Sequence, residues 1–270
     1  MSNAAKISPE RIKYLKTVRN KKTIILSSQI LLLVLLFAGW ELAANLRLVD
    51  PFITSQPSKV FEMILTLHAD GALYHHIIVT VWETFIGFVL GTLGGILIAT
   101  MLWWSEFLAK MSAPYLVVLN AVPKVALGPI LIVWMGNGQP AIIAMALLIS
   151  IIVSIISMLD AFLSVDVNRI KLMKTFGATK TQILTKVILP ASLPNMISAL
   201  KVNVGLSWVG VIMGEFLVSK AGLGYLIVYG SQVFNLDMVM TSVIILAIAA
   251  ALMYVCVASF EKRMLKWQDK

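Results

Sequence analysis

The feature that most constrains this chain is a series of six apolar runs, each long enough to cross a lipid bilayer. A crossing helix needs about 20 mainly apolar residues, because the hydrocarbon core is about 30 Å thick. Lipid offers no hydrogen bonds to a bare backbone, so each run is expected to be helical. We therefore predict an all-α polytopic membrane protein with about six transmembrane helices. The runs cover approximately residues 23–44, 77–102, 115–134, 141–163, 196–218 and 238–260.

The composition supports a membrane protein and excludes an ordinary soluble domain. Of the 270 residues, 59% are hydrophobic and 13% are charged, and the mean hydropathy is +0.91. A net charge of +9 would indicate a nucleic-acid partner in a soluble protein. Here the positive-inside rule explains the charge, so we expect the lipid bilayer as a partner and no nucleic acid. The single cysteine, Cys256, permits neither an intrachain disulfide nor a cysteine metal cluster.

The basic residues are distributed unevenly along the chain. Seventeen of the 22 Lys and Arg lie in the N-terminal segment, the 105–114 turn, the stretch between the fourth and fifth runs, and the tail. Because such segments stay cytoplasmic, both termini are expected inside. The first run is too long for a signal peptide and is interpreted as an uncleaved span. Residues 1–22 form a cytoplasmic segment, either surface-bound or disordered, before a six-span domain at 23–260 and a cytoplasmic tail at 261–270.

A basic, amphipathic island at residues 166–190 separates the fourth and fifth runs. Gly177 suits the position after a helix where a positive φ is needed. Thr179 followed by Gln182 is typical of a capping box, which opens a second short helix. Pro190 is expected to stop or redirect that helix. The residues alone leave two interpretations open: a loop on the lipid headgroups, or a docking element for a soluble partner.

The island resembles the coupling-loop signature of binding-protein-dependent ABC importer permeases. That signature is Glu-Ala-Ala, three residues, Gly, nine residues and Ile-x-Leu-Pro. Here Gly177 is followed after nine residues by Val187-x-Leu189-Pro190, whereas Lys171-Leu172-Met173 occupies the Glu-Ala-Ala positions. A base therefore stands where the family has an acid. Further segments are similar to the nitrate/sulfonate/taurine-type branch, in a match from about Pro51 to Trp267: Ala121–Pro129, Ala191–Pro194, Gly222–Gly224 and Trp267.

This resemblance implies the permease subunit of an ATP-driven importer in the bacterial cytoplasmic membrane. Such a subunit pairs with a second copy or a close homologue. Two cytoplasmic ATPase subunits receive the coupling loops, here residues 164–190, and an extracytoplasmic binding protein delivers a small solute. The residues expected to dock the ATPase are Lys171, Met173, Phe176, Gly177, Ala178 and Thr179.

The sequence carries no Gly-rich phosphate-binding loop that ends in Gly-Lys-Ser/Thr. We therefore expect no enzymatic activity and no cofactor in this chain, with ATP and Mg²⁺ on the partner ATPase. A membrane enzyme is disfavoured for a second reason, because Ser150, Ser154 and Ser207 have no histidine partner at membrane depth.

Polar residues within the spans are candidates for the translocation pathway, because intramembrane ionisable groups are functional by default. The candidates are Asn120, Lys124, Lys201, Trp208 and Glu215. A cavity that holds Lys124 or Lys201 would suit an anion such as nitrate, a sulfonate or a carboxylate. Members of the branch also import pyrimidine-type organics, so the substrate stays open. The alternative is structural, with Lys124 and Glu83 neutralising other groups in the bundle.

Two further alternatives concern architecture and class. Gly87, Gly91 and Gly95 recur on one helical face, which permits close helix approach. We interpret this face as intrachain packing, with a dimer seam as the alternative. A small ion-coupled secondary transporter is the second functional class, although six spans without an inverted repeat are few for that class.

The charge distribution predicts the membrane topology. A reporter fused after Trp267, and another inserted near Asn168, are expected to read cytoplasmic, whereas one at Gly138 is expected to read external. The reason is that basic segments resist translocation. An external reading at Asn168 would contradict the six-span arrangement.

Overall fold

A computed structural model describes residues 9–264, and within that range the regular structure is entirely helical. The expectations for residues 1–8 and 265–270, Trp267 among them, lie outside the described residues. The α-helices are α1 Pro9–Asn45, α2 Pro51–Thr54, α3 Pro57–Ala69, α4 Ala72–Trp104, α5 Glu106–Ala121, α6 Gly128–Met135, α7 Gln139–Leu163, α8 Val167–Thr175, α9 Lys180–Ile183, α10 Leu189–Val218, α11 Leu223–Gln232 and α12 Leu236–Met264.

The described chain divides into two compact units, residues 9–63 and 64–264. The first unit contains α1, which begins at Pro9, so the basic stretch before the first span is helical rather than disordered from that residue onward. Glu41 near the end of α1 accepts hydrogen bonds from the Ser58 backbone N–H at 3.0 Å and the Ser58 hydroxyl at 2.9 Å. The apolar side chains of residues 30–36 in the middle of α1 are exposed, as expected of a helix that faces lipid.

The core of the second unit is formed by α4, α7 and α10. The glycine face of α4 lies against small residues of α7, with Gly87 at Ala146 and Gly91 at Ser150. Gly210 of α10 approaches the backbone of the same residue, Ala146. In lipid there is no hydrophobic driving force between helices, so van der Waals contacts must hold them together. Small residues strengthen these contacts because they let the helices approach closely. The intrachain interpretation of the glycine face is therefore confirmed.

A polar cluster ties the same three helices together. The Asn203 side-chain amide of α10 donates to Ser154 Oγ of α7 at 2.7 Å and to Thr92 Oγ1 of α4 at 3.3 Å. All three side chains are buried. Such interhelical hydrogen bonds contribute roughly 0.6–2 kcal/mol each within a membrane. The small residues let α4, α7 and α10 pack closely, and these hydrogen bonds fix how the three helices are aligned along their length.

The expected third span is instead a pair of short helices. Helices α5 and α6 meet at a bend of 86°, joined by a 3₁₀ turn at Lys124–Leu127. The bend follows from Pro123, which disfavours helical backbone at the preceding residue; Val122 is extended, with ψ at 132°. Among residues 9–264, five helices are long and apolar enough to cross a membrane, or six if the bent pair crosses as one. The expected turn over residues 106–112 is wrong, because Ser105 caps α5 and helix begins at Glu106.

The expectation that Pro190 ends the second island helix is also wrong. Helix continues from Lys180 to Val218 through a π-helical stretch at Leu184–Ile188, so the fifth span begins well before residue 196. Proline lacks an N–H and its ring clashes with the carbonyl four residues back. That residue is Lys186, inside the π-helical stretch, where the wider turn bonds to residue i+5 instead. The π stretch thus lets the helix pass Pro190.

The close contact between α7 and α10 is testable with two matched substitutions in α10. A Cβ at Gly210 would overlap the backbone of Ala146, whereas a Cβ at Gly205 has no neighbour within 4 Å. We expect Gly210→Ala to destabilise the fold by about 1–3 kcal/mol, as overpacking does. Gly205→Ala should be neutral. Thermal unfolding of the purified chain in detergent measures both, and equal melting temperatures would contradict the packing.

Candidate functional site

The island folds as two helices around a sharp turn, as the sequence predicts. At the end of α8, Ala178 N–H donates to Met173 O and Gly177 N–H donates to Lys174 O, both at 3.0 Å. Gly177 has a φ of +76°. This hydrogen-bond pattern is a Schellman motif, which satisfies the last carbonyls of the helix.

The capping box that opens α9 is also confirmed. The Gln182 backbone N–H donates to Thr179 Oγ1 at 3.3 Å, and the Thr179 backbone N–H donates to Gln182 Oε1 at 2.8 Å. At the other end of the island, Asp166 caps α8 by accepting from the Asn168 N–H at 2.8 Å. Local hydrogen bonds therefore determine where both island helices begin, and they make the turn between them rigid.

One face of the island packs against the transmembrane core. Ile170 and Met173 of α8 and Ala178 of the turn lie on a buried cluster that includes Phe162 and Ile188. Packing of this kind fixes the island's position relative to α7 and α10. Met173 is partly buried against this cluster, so only part of its side chain is available to a partner.

An exposed apolar pair lies on the side of α8 next to this packed face. Leu172 is 57% exposed and Phe176 is 78% exposed. The sequence analysis named Phe176 but missed Leu172. The signal was present, since residues four apart lie on one side of a helix. Lys171 and Lys174 of the same helix are also exposed, so α8 presents positive charge as well as two large apolar side chains.

A third contact anchors the island to the end of α4. The Lys180 ammonium donates to the Trp104 carbonyl oxygen at 2.7 Å and lies 5.8 Å from the centre of the Trp104 ring. The bond satisfies one of the free carbonyls at the helix end, and the ring attracts the cation. Within the island, a cavity of about 390 Å³ lies between α8 and the π-helical stretch. Its lining includes Arg169, Leu172, Met173, Lys186, Val187, Pro190 and Ala191.

The five predicted pathway residues do not line one cavity among the described residues. Lys124 Nζ donates to the Asn120 carbonyl oxygen at 3.0 Å, at the bend after α5. Lys201 forms an ion pair with Glu261 of α12 at 2.9 Å. Both lysines therefore have partners within the chain, in agreement with the structural interpretation of such charges.

Trp208 lies elsewhere, in an almost wholly apolar cleft of about 660 Å³ between α4, α10 and α12. Its neighbours in the cleft include Trp82, Phe85, Phe88 and the lone cysteine, Cys256. The indole Nε1 of Trp208 has no hydrogen-bond partner within residues 9–264. The cleft offers aromatic surface and contains no charged side chain.

Glu215 belongs to a separate cluster at the start of α11, here called the outer clamp: His76, Thr80, Glu215 and Gly222–Gly224. Three successive backbone N–H groups are accepted by side chains from α4 and α10. Gly222 donates to His76 Nδ1 at 2.9 Å, Leu223 to Thr80 Oγ1 at 2.7 Å, and Gly224 to Glu215 Oε2 at 2.5 Å. These bonds supply the cap that α11 lacks in its own sequence.

Steric contacts explain why the outer clamp has glycine at positions 222 and 224. Gly222 has a φ of +115°, which a side chain rarely adopts, and a Cβ there would overlap the Glu215 carboxylate. A Cβ at Gly224 would lie 2.7 Å from Glu215 Oε2. The sequence analysis named the Gly-Leu-Gly motif and Glu215 but missed His76 and Thr80, which reach the motif only through tertiary contact. No group of three His, Cys, Asp or Glu within the described residues suits a metal ion.

Residues 91–267 match the family described as binding-protein-dependent transport system inner membrane component. This range contains the island and, from the outer clamp, Glu215 and Gly222–Gly224. The chain belongs to this family. It is 31% identical to a probable ABC transporter permease protein of Haemophilus influenzae over 80% of this chain and 87% of that protein. The permease assignment replaces the secondary-transporter alternative, and the chain is a permease subunit of an ABC importer.

Further relatives have more specific names. The chain is 26% identical to the putative aliphatic sulfonates transport permease protein SsuC of Bacillus subtilis, over 89% of this chain and 87% of that protein. It is 26% identical to the formylaminopyrimidine transport permease protein ThiX of Halalkalibacterium halodurans, over 89% and 95%. An inward-facing structure of the MetNI methionine ABC transporter shares the fold, with a TM-score of 0.64 and 21% identity over 75% of this chain and 98% of that chain.

The left-handed turn of the island is testable against a control with the same backbone strain. Gly177 and Gly71 both have φ near +70° and open surroundings, so Val at either position is strained by about 1–2 kcal/mol. We expect Gly177→Val to speed hydrogen exchange of the α8 and α9 amides about tenfold, because the strain acts on the Schellman motif. Gly71→Val should leave these amides unchanged. Equal protection in both variants would contradict a left-handed turn at Gly177.

Proposed function

We propose that the island of this permease is the element that docks an ATPase subunit, and that two such subunits drive import of a small solute. The observation that supports this most strongly is the rigid display of Leu172 and Phe176. These apolar side chains are exposed on a helix that is fixed by a Schellman motif, by a capping box and by packing on the core. A loop that merely rests on lipid headgroups would not need this rigidity.

The continuous helix from Lys180 to Val218 supplies a way to transmit motion. At 1.5 Å per residue, 39 residues extend about 58 Å. The helix begins in the island and carries Glu215 of the outer clamp near its far end. A displacement of the island by ATPase closure therefore moves the outer clamp as well. In this mechanism ATP hydrolysis alternates the side of the membrane to which the pathway opens.

The remaining machinery is proposed to lie on partner chains. ATP and Mg²⁺ bind the ATPase subunits, since this sequence has no phosphate-binding loop. A second permease copy, or a close homologue, completes the pathway. An extracytoplasmic binding protein delivers the solute to the outer side. Both termini and the island lie in the cytoplasm of a bacterial cell, in agreement with the distribution of Lys and Arg.

The solute is proposed to be small and polar: nitrate, a sulfonate such as taurine, or a related organic such as a pyrimidine. The relatives named for sulfonates and for formylaminopyrimidine support this range equally, at 26% identity each. The suggestion that Lys124 and Lys201 attract an anionic solute is weakened by the structure. Lys201 is neutralised by its ion pair with Glu261, whereas Lys124 keeps its charge and donates a hydrogen bond to the Asn120 carbonyl oxygen.

Cross-linking from the island tests the docking proposal. In a Cys256→Ser background, Phe176→Cys carries a thiol on the exposed face, and Met173→Cys carries one on the partly buried face. A bifunctional thiol–amine reagent should link position 176 to a co-expressed ATPase, because that face is expected to lie against it. Position 173 should react several-fold less.

Two results would contradict the proposal. The first is equal cross-linking from both positions, or none from position 176 in an assembled complex. The second is ATP hydrolysis by the purified chain alone that a mutation within the chain abolishes. Hydrolysis is expected only when the ATPase subunit is present.

A further inference from the structure

Two buried carboxyl groups lie next to each other between α4 and α10. Glu83 is 1% exposed and Glu215 is 2% exposed, and their side chains interact. Both oxygens of Glu83, and Oε1 of Glu215, have no hydrogen-bond partner within residues 9–264. The fourth oxygen, Glu215 Oε2, accepts the Gly224 N–H. Three of the four carboxyl oxygens of this pair therefore lack a hydrogen-bond donor within residues 9–264.

No cation of the described residues neutralises this pair. On α4, the titratable neighbours are His75, which lines the same cavity as Glu83, and His76, whose Nδ1 accepts the Gly222 N–H. The turn after α10 contributes Lys220, which is exposed at the cavity rim. Helix α7 contributes the uncharged Gln139 and Ile142. Near Glu215, helix α11 contributes Tyr225 through its backbone N–H.

Two adjacent ionised carboxylates would be strongly unfavourable at this buried site. Each charge loses its hydration on burial, and like charges at close range repel strongly in a medium of low dielectric constant. A single proton removes the repulsion and one of the two desolvated charges, and it supplies a hydrogen-bond donor to the carboxylate that remains ionised. We propose that Glu83 and Glu215 share one proton, and that this proton holds α4 to α10 at the outer clamp.

A route for exchange of the proton is visible in the structure. Glu83 lines a cavity of about 300 Å³ between α4, α7 and the turn after α10. The other polar residues of the lining are His75, Asn137, Gln139, Ser219 and Lys220. Asn137 and Lys220 lie in turns at the ends of helices, on the side predicted to be external. The proton site therefore communicates with one aqueous phase, on the side from which solute arrives.

The shared proton makes the outer clamp sensitive to pH in a defined direction. The folded protein holds a proton here that the unfolded chain releases at neutral pH, so stability falls as pH rises. Loss of the proton sets two carboxylates against each other and separates α4 from α10. The N-terminus of α11 then loses its support from Glu215. This proposed pH sensitivity is independent of the docking proposal, since it requires neither an ATPase nor a solute.

Thermal unfolding of the purified full-length chain tests the proposal without any partner. The wild type should lose at least 2–4 °C of melting temperature, equivalent to about 1 kcal/mol, as pH rises through the range in which the pair deprotonates. Glu83→Gln should fold and show no such loss, because its amide supplies a permanent donor to Glu215. Glu106→Gln is the matched control: Glu106 is an exposed carboxylate, so its variant should follow the wild-type profile.

Infrared spectroscopy keeps the proposal testable if Glu83→Gln folds poorly. At neutral pH the wild type should show the carbonyl stretch of a protonated buried carboxylic acid, and alkaline titration should remove it. Absence of this band would overturn the proposal, as would identical pH profiles for the wild type and Glu83→Gln. Protection against alkaline destabilisation by Na⁺, but not by K⁺ at equal ionic strength, would also overturn it and assign the site to a metal cation.

Discussion

The close approach of α4, α7 and α10 is the constraint on which the rest of the second unit depends. In lipid, apolar side chains gain nothing by leaving their surroundings, so the helices are held by short-range contacts that small residues permit. Gly91 and Gly210 allow neighbouring helices to touch at the backbone, and Asn203 fixes their register by hydrogen bonds. The island is built on the buried cluster at one end of this bundle and the outer clamp on the other. Both sites therefore inherit their geometry from the same packed helices.

The two sites are linked by an unbroken helix, and the irregular part of that helix lies beside the island. A regular α-helix with proline at position 190 would leave a steric clash with the preceding turn. The π-helical stretch removes the clash but interrupts the regular α-helical hydrogen-bond pattern. This interruption lies next to the helix that carries Leu172 and Phe176. π-helical turns are often found at functional sites. Here the irregularity preserves a rigid connection from the cytoplasmic island to the outer clamp.

The sequence predicted what local physics determines and failed where tertiary contacts decide. Hydropathy located the spans, and the turn at Gly177 with its capping box at Thr179 followed from backbone rules alone. The 86° bend between α5 and α6 could not be predicted, because a proline indicates that a helix breaks but does not give the angle of the break. The buried orientation of Met173 depends on the core beneath it. Glu83 was noted only as an isolated charge, since nothing in the sequence shows that it meets a residue 132 positions later.

The intramembrane charges show how the fold treats polar groups that lipid cannot solvate. Lys201 is neutralised by an opposite charge, Glu261, and Lys124 donates a hydrogen bond to a carbonyl oxygen at the end of a helix. Glu83 has neither, and its nearest ionisable partner is another acid. A protein that needed only stability could place an apolar side chain there, because a buried charge lowers stability unless it is paired. Retention of two acids beside a water-accessible cavity is therefore better explained by a role that depends on gaining and losing a proton.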